Sequence, residues 1–448
     1  MAVVSNAKPP TLPGHWLLGN LPEFRRDRLA FFEDAARNHG DIVLGRLGPR
    51  PILLLNHPDF VEEVLVTQNR RFHKHFALKR TRRTLGKGLL TSEGDFWRGQ
   101  RKLVQPAFHR ERIAGYARIM TQYAERMTSG WSDGQTRDIH DDMMGLTLEI
   151  VAKCLFDADI HGQAAGASEA MTTLMHTFTA RVGRIFAPPH WIPVPLNRRL
   201  ERAIRRLEEI LFAIIAERRK GGDDRGDLLS MLLQAQDEES GRGMSDRQLR
   251  DELMTLFMAG HETTAGALAW TWALLSRNPE AEAKLHAELD SVLGGRTPTF
   301  EDLPKLIYTG AVVNESMRIF PPVWVVGREA IEPFEVGGHR FPAGMTAYMP
   351  HWVIHRDPRW FNEPLSFQPE RWLDGRLESM HRYAYFPFGG GPRICVGNNF
   401  ALMEASLVVA TIAQRFRPRL TPDARIAPLA TMTLRPEHGV PVMLSKRA

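Results

Sequence analysis

Apolar residues recur every three to four positions over residues 58–234 and 245–275, and beyond Pro321-Pro322 their spacing falls to two. A period of 3.6 buries one face of a helix and a period of two buries one face of a strand, so the fold is mainly α with a smaller β portion. Helices are expected over residues 29–39, 59–67, 96–106, 110–129, 138–156, 167–186, 197–220, 245–275, 280–293, 308–320 and 399–416. Strands are expected over 42–47 and 51–55, joined by Gly48-Pro49-Arg50, and over 323–329, 334–336 and 346–349, with a terminal hairpin through Met432 and Val440. The Pro-rich stretch 188–195 and the Gly-rich stretch 221–226 interrupt the helices, and plain connection is the simplest reading of both.

A chain of 448 residues with 43% hydrophobic and 25% charged side chains buries a sizeable core, and without a long linker or an internal repeat it reads as one unit, residues 1–448. The balance of 58 Lys+Arg against 52 Asp+Glu leaves +6. Much of that excess lies on helical faces such as 199–206, where Glu201 and Arg205 pair at i,i+4. No aromatic-interleaved basic patch or finger spacing accompanies it, which argues against nucleic acid and leaves an acidic redox partner as the useful reading. Two distant cysteines give no disulfide framework and suit a reducing compartment. The first twenty residues lack a signal or anchor pattern, and the apolar run 265–275 is too short to cross a bilayer, so a cytoplasmic protein without a transmembrane anchor is expected.

The chemistry concentrates in Phe388-Gly-Gly-Gly-Pro-Arg-Ile-Cys-Val-Gly397. Two cysteines exclude four-cysteine zinc and iron-sulfur sites, so a single metal-bound sulfur requires another scaffold for the metal, such as a porphyrin. Gly389, Gly390 and Gly391 allow positive φ and close approach of a flat macrocycle. Cys395 lies just ahead of an apolar helix, whose N-terminal N–H groups favour thiolate, and Arg393 reaches an anionic cofactor edge. The other cysteine, Cys154, reads as a buried structural thiol.

Elsewhere, Glu315 and Arg318 share a helical face, which alone would read as a solvated surface bridge. In the long helix Thr263 is placed to bond back to the carbonyl of Ala259 while Gly260 weakens the same turn, and a local opening is expected there. Glu262 is a charge in an otherwise apolar setting.

These residues resemble the cytochrome P450 family. Phe388, Gly391, Arg393, Cys395 and Gly397 fall on its ligand-loop pattern, joined by Glu315-Ser-Met-Arg318, Pro369-Glu-Arg-Trp372 and Ala259-Gly-His-Glu-Thr-Thr264 in the family's order. The N-terminal half matches more loosely, through Trp97, Arg101 and the succession of helices.

The resemblance implies the cytochrome P450 fold, with haem b between the long helix and the loop of its axial thiolate Cys395. It implies a buried network of Glu315, Arg318 and Arg371 behind the cofactor, with Trp372 as packing in place of a frequent phenylalanine. It assigns Trp97, Arg101, Arg328 and Arg393 to the propionates, with His355 assisting, and Phe388 and Gly391 to the cofactor's loop. Proton delivery falls to Thr263 and Glu262, supported by Thr264 and His261, and Leu89, Leu90, Ala259, Val325, Val326 and Met432 face a lipophilic substrate. The implied reaction inserts one atom of O2 into a C–H or C=C bond of a fatty acid, alkane, terpenoid or steroid. Without a flavin or nicotinamide fingerprint, electrons are expected from a ferredoxin or flavodoxin with its NAD(P)H-dependent reductase, docking on Arg98, Arg101, Lys102 and Arg393 of a monomer. The alternatives are an enzyme that uses peroxide or rearranges a hydroperoxide, and a non-catalytic haem sensor. The stretch 188–195 resembles the family's access region.

Overall fold

Leu47 pairs with Arg50 across Gly48-Pro49, and Gly48 takes a φ of +61° that suits the first central position of a tight hairpin. This turn joins β1 (Ile42–Leu47) to β2 (Arg50–Leu55) in a computed structural model that describes residues 8–447 except 161, 163, 183–191, 193, 222–223, 236–242 and 376–378. Before the hairpin come α1 (Leu21–Arg26) and α2 (Arg28–His39). After it come α3 (Pro58–Glu62), a π-helical turn (Glu63–Thr67), β3 (Phe72–Lys74), α4 (Phe76–Arg80) and α5 (Arg82–Leu85).

The helical bulk is α6 (Gly94–Val104), α7 (Arg110–Ser129), α8 (Ile139–Phe156), α9 (Ala164–Val182), α10 (Pro195–Gly221), α11 (Leu228–Gln234), α12 (Asp246–Arg277), α13 (Pro279–Leu293) and α14 (Ile307–Ile319). The short strand β4 (Thr136–Asp138) precedes α8, and Asp138 caps that helix by accepting from the His140 N–H at 2.9 Å. Then follow β5 (Val326–Ala330), β6 (Phe334–Val336), β7 (His339–Phe341), β8 (Thr346–Met349), α15 (His351–Ile354) and α16 (Asn398–Ala413). The chain closes with β9 (Phe416–Leu420), β10 (Pro428–Ala430), β11 (Leu434–Pro436) and β12 (Pro441–Lys446).

The larger sheet runs β1-β2-β8-β5-β3, with β2 and β8 parallel and the other pairs antiparallel. One of its faces packs with Phe60, Val64 and Phe334, and the other with Phe32, Trp324 and Trp352. The main core gathers α7, α8, α12 and α16 around residues such as Met143, Leu253, Leu268 and Val408.

Several expected boundaries move. Val325 lies outside β5, Phe416 belongs to β9 rather than to the helix before it, and α3 passes into a π-helical turn. The expected terminal hairpin resolves into two features: β10 and β11 pair around Met432, while β12 after Val440 pairs with β4 and β9. Of the stretch 188–195, residues 188–191 and 193 lie outside the described residues, as do 222–223 of the second interruption.

Candidate active site

The carboxylate of Glu315 on α14 is the most heavily bonded group in the site region. It accepts from Arg318 Nε (2.9 Å) and Nη2 (2.8 Å), Arg371 Nε (2.9 Å), Trp372 Nε1 (2.9 Å) and the Gln368 backbone N–H (3.0 Å). Glu315 and Arg318 are fully buried, which replaces the surface-bridge reading with an internal ion pair. Arg318 also donates to the carbonyls of His355 (2.9 Å), Pro364 (2.7 Å) and Ser366 (3.3 Å), so its remaining N–H capacity is satisfied by backbone. Trp372 is a hydrogen-bond donor to Glu315 as well as packing, stacked obliquely on Tyr385. His355 accepts from the Phe386 N–H at 3.0 Å through Nε2, which sets it in the wall beneath the cysteine loop.

The loop itself closes by the Cys395 N–H donating to the Phe388 carbonyl at 2.9 Å, with Phe388 packed against the main core. Its glycines serve the protein's own packing. A Cβ on Gly391, at φ +65°, would lie 1.9 Å from the Leu65 carbonyl oxygen, and one on Gly390 would lie 2.3 Å from the Tyr383 ring. Only Gly389, at φ +73°, faces open space.

The Cys395 thiol is accessible and yet surrounded by protein, as for a side chain that opens on an internal space. Burial pushes the thiol up, against the Gly397 N–H and Arg101, so the helix end does not by itself deliver a thiolate. Cys154 is buried in the main core, as read from the sequence.

Cations gather beside this loop. Arg393 pairs with Glu93 at 2.5 Å and lies over the Trp97 ring at 4.8 Å. Arg328 donates to the carbonyl of Gly327 at 3.0 Å, and burial together with Arg393, opposed by Glu93, pushes it down to about 10. Arg393 Nη1 is buried with no hydrogen-bond partner. Arg101 instead donates to the Ile394 carbonyl at 2.6 Å, which braces the residue next to Cys395. Two guanidinium groups, Arg393 on the Glu93 carboxylate and Arg328 on a backbone carbonyl, beside an accessible lone thiol, fit a flat dianionic macrocycle that also takes a sulfur ligand.

Two members of this cluster escaped sequence reasoning. Lys74 is buried, donates from Nζ to the carbonyls of Leu89 (2.7 Å) and Ser92 (2.8 Å), and sits 5.7 Å from the Trp97 ring. Burial and Arg393, against Glu93, push it down to about 7. Glu93 accepts from the Lys74 backbone N–H at 2.7 Å, and despite burial its carboxyl is held below the usual range by Arg393 and Lys74. The signal lay in register: β3 pairs Lys74 with Arg328.

The long helix α12 starts at the cap Ser245 and runs unbroken through Gly260. The expected opening does not form. A Cβ on Gly260 would lie 2.9 Å from Val151 of α8, so this glycine lets two helices approach. Thr263 Oγ1 does donate to the Ala259 carbonyl, at 2.6 Å, and Ala259 is exposed in a helix whose neighbouring turns are buried. The i,i+4 pair Ala259 and Thr263 thus forms a window on the helix.

Glu262 points elsewhere: its Oε1 accepts from Thr433 Oγ1 at 2.7 Å, and burial raises its pKa against that bond and Arg435. Thr264 approaches the buried carboxyl of Glu404 on α16, which burial pushes well above the ordinary range. His261 is buried and pushed down to about 4, and its carbonyl accepts from Thr147 at 3.1 Å.

Of the substrate-wall residues, Leu89 is buried, while Leu90, Val325, Val326 and Met432 are half-buried. Two bonds bring the turn holding Met432 to the segment before Val325: Trp324 Nε1 donates to the Thr431 carbonyl at 3.1 Å and the Leu434 N–H to that of Pro322 at 2.8 Å. Of the docking cations, Arg98 is exposed beside Asp95, whereas Arg393 is half-buried against Glu93 and Arg101 is turned to the loop. No helix among the described residues is long and apolar enough to cross a membrane.

Comparison with known proteins bears on this arrangement. The family model described as Cytochrome P450 matches residues 9–440. Cyclooctatin synthase of Streptomyces melanosporofaciens is 42% identical over 88% of this chain and 87% of its own. Cyclooctat-9-en-7-ol 5-monooxygenase of the same organism is 40% identical over 93% and 91%. Pentalenene oxygenase of Streptomyces avermitilis is 33% identical over 96% and 95%. Among solved structures, that of the cytochrome P450DA heme domain superposes with a TM-score of 0.89 at 29% identity, covering 99% of this chain and 98% of that one.

Proposed function

The chain belongs to the cytochrome P450 family, and from that premise we propose that it inserts one atom of O2 into a C–H or C=C bond of a terpenoid. It is a cytochrome P450 monooxygenase, and its cofactor is haem held by a cysteine thiolate. When bound, thiolate-held haem supplies activation of dioxygen, the sulfur's electron donation favouring O–O cleavage.

Cys395 is the sulfur ligand, positioned by Arg101 and by the Phe388 carbonyl. Arg328, Arg393 and Trp97 would hold the propionates, with Glu93 and Lys74 completing their charge balance. The observation that carries the oxygenase reading is the window at Ala259 and Thr263, with Glu262 next in sequence. There the Thr263 hydroxyl would hold water, while Glu262, whose side chain turns to Thr433 on the neighbouring hairpin, would take up protons from solvent and reach that water by turning from its Thr433 bond. An enzyme that only uses peroxide, or a sensor, has no use for that pair.

The terpenoid reading rests on relatives named for acting on cyclooctat-9-en-7-ol and pentalenene, and on an apolar wall of Leu89, Leu90, Ala259, Val325, Val326 and Met432. Electrons come from a ferredoxin or flavodoxin with its NAD(P)H-dependent reductase, docking near Arg98 on a cytoplasmic monomer, with residues 1–448 acting as one unit. Loss of salt dependence in electron transfer would sink the charge-steered docking.

The test is spectroscopic and then kinetic. The reduced protein with carbon monoxide should give the far red-shifted band of thiolate-held haem, lost in Cys395→Ala; a globin-like band would remove the reading. Thr263→Ala should keep the band and lower product formed per NAD(P)H by about ten-fold or more. Unchanged coupling would count against the Thr263 relay.

A further inference from the structure

The loop between α5 and α6, which carries Leu89 and Leu90, is pressed onto the start of α12. Two glycines allow the approach: a Cβ on Gly86, at φ +60°, would lie 1.9 Å from the carboxyl carbon of Asp251, and one on Gly88 would lie 2.2 Å from Thr255 Oγ1. Backbone bonds complete the seat. The Lys87 N–H donates to Asp251 Oδ2 at 2.8 Å, and the Leu89 N–H to Glu252 Oε2 at 2.9 Å. The Leu89 carbonyl accepts instead from Lys74 Nζ of β3 at 2.7 Å, and the same ammonium donates to the Ser92 carbonyl at 2.8 Å.

Glu252 is completely buried and Lys74 nearly so. Burying an ionisable side chain is costly, and the N–H and C=O of a loop residue are commonly met by other backbone or by water. Here two such side chains, from two separate elements, take both backbone groups of one residue and leave it no freedom to slide along either element. Glu252, Ala259 and Thr263 share one face of α12 at i, i+7 and i+11, so Glu252 lies two turns ahead of the window. Lys74 belongs to the cation cluster of Arg328 and Arg393.

We propose that Glu252 and Lys74 are positioning residues for substrate selection: they hold Leu89 by its N–H and its C=O, and so fix how far the Leu89–Leu90 wall stands from the Ala259–Thr263 window. This clamp deepens the proposed oxygenase reading and rests on its assignment of Leu89 and Leu90 to the substrate wall. One end of the clamp is referenced to the cofactor's seat and the other to the helix that faces oxygen. A wall held from both sides does not yield, so the pocket selects by breadth and favours a rigid ring system that fits over a broader one.

The test uses the haem-loaded protein and azoles of rising breadth, N-phenylimidazole and the triaryl azole clotrimazole. Each binds haem iron through nitrogen and reports by a red shift of the Soret band, without turnover. The preference for the slimmer azole, read as the ratio of the two dissociation constants, should fall by about ten-fold in Glu252→Leu. Gly88→Ala, which lifts the loop from Thr255 without touching the carboxyl, should do the same. Burial pushes the Glu252 carboxyl up to about 7, against the Leu89 bond, so neutral glutamine is a close stand-in, and Glu252→Gln should restore the ratio. Deuterium uptake by the amides of residues 86–92 should rise in the first two variants and not in the third. The carbon monoxide band should stay the same in all three.

Leu89→Ala trims the wall and leaves both backbone bonds in place. A shifted ratio there, with an unaltered ratio in Glu252→Leu and Gly88→Ala, would overturn the clamp and leave the wall standing. An unaltered ratio in Leu89→Ala would remove the wall reading and the clamp's role with it. A ratio shifted as expected, in an enzyme that oxidises no terpenoid, would uphold the clamp and sink the terpenoid reading alone. Should Glu252→Leu fail to load haem, Gly88→Ala makes the same comparison.

Discussion

Trp372→Phe isolates one bond in the buried network, because the ring is kept and only the indole N–H is lost. Glu315 receives five hydrogen bonds, and this change leaves four. A hydrogen bond to a charged group contributes about 1.5–3 kcal/mol, and Oε2 still accepts from Arg318, so the loss should lie near about 1.5 kcal/mol. Glu315→Gln removes the charge instead and strands the fully buried Arg318, a change that costs about 3–5 kcal/mol. With an unfolding entropy of about 2.1 cal/mol/K per residue, 448 residues give about 0.9 kcal/mol/K. The melting temperature should therefore fall by about 1.5 °C in Trp372→Phe and by about 3–5 °C in Glu315→Gln. Far-ultraviolet circular dichroism of the loaded protein, with haem release followed in the same melt, reads both. Equal shifts for the two variants, or none for Trp372→Phe, would refute the claim that the indole N–H is a working member of the network.

Other expectations follow from single residues. Gly391→Ala, which meets the Leu65 carbonyl at positive φ, should cost more than about 2 kcal/mol and lower haem content, while Gly389→Ala in open space should cost only its backbone strain of about 1–2 kcal/mol. Arg328→Met should stabilise the haem-free protein by relieving repulsion with Arg393, yet raise the rate of haem transfer to an acceptor globin by about ten-fold. His286 on α13 is pushed down to about 4, first by burial and then by Arg447 and Arg417. Its contribution to stability is complete above the ordinary histidine pKa of 6.5 and is lost as the pH falls through about 4, so His286→Gln should flatten that stretch of the melting temperature against pH.

What the sequence made legible was set by local chemistry. The loop around Cys395 is readable because a lone cysteine among glycines ahead of an apolar helix has few uses, and α12 because its cap and period lie in one continuous run. Lys74 and Glu93 were not readable, since their meeting with Arg393 depends on the pairing of β3 with β5, which are far apart along the chain. Gly260 was misread for a similar reason: a glycine in a helix looks like a weak point until the opposing Val151 is known. The indole of Trp372 has a polar edge whose partner only the folded chain reveals. The direction of Glu262 was hidden too, because the hairpin that receives it lies more than 160 residues onward.

That hairpin is tied to α12 twice, by Thr433 at Glu262 and by the Trp270 indole donating to the Leu434 carbonyl at 3.0 Å. Its turn is also tied to the segment ahead of β5 through Trp324. Anyone reshaping Met432 to admit a bulkier or differently oriented molecule therefore also disturbs the anchor of a carboxyl one residue away. With Met432 facing substrate and Glu262 relaying protons, as proposed, substrate range and economy of reductant would not be independent dials, and a selection for one should carry measurements of the other.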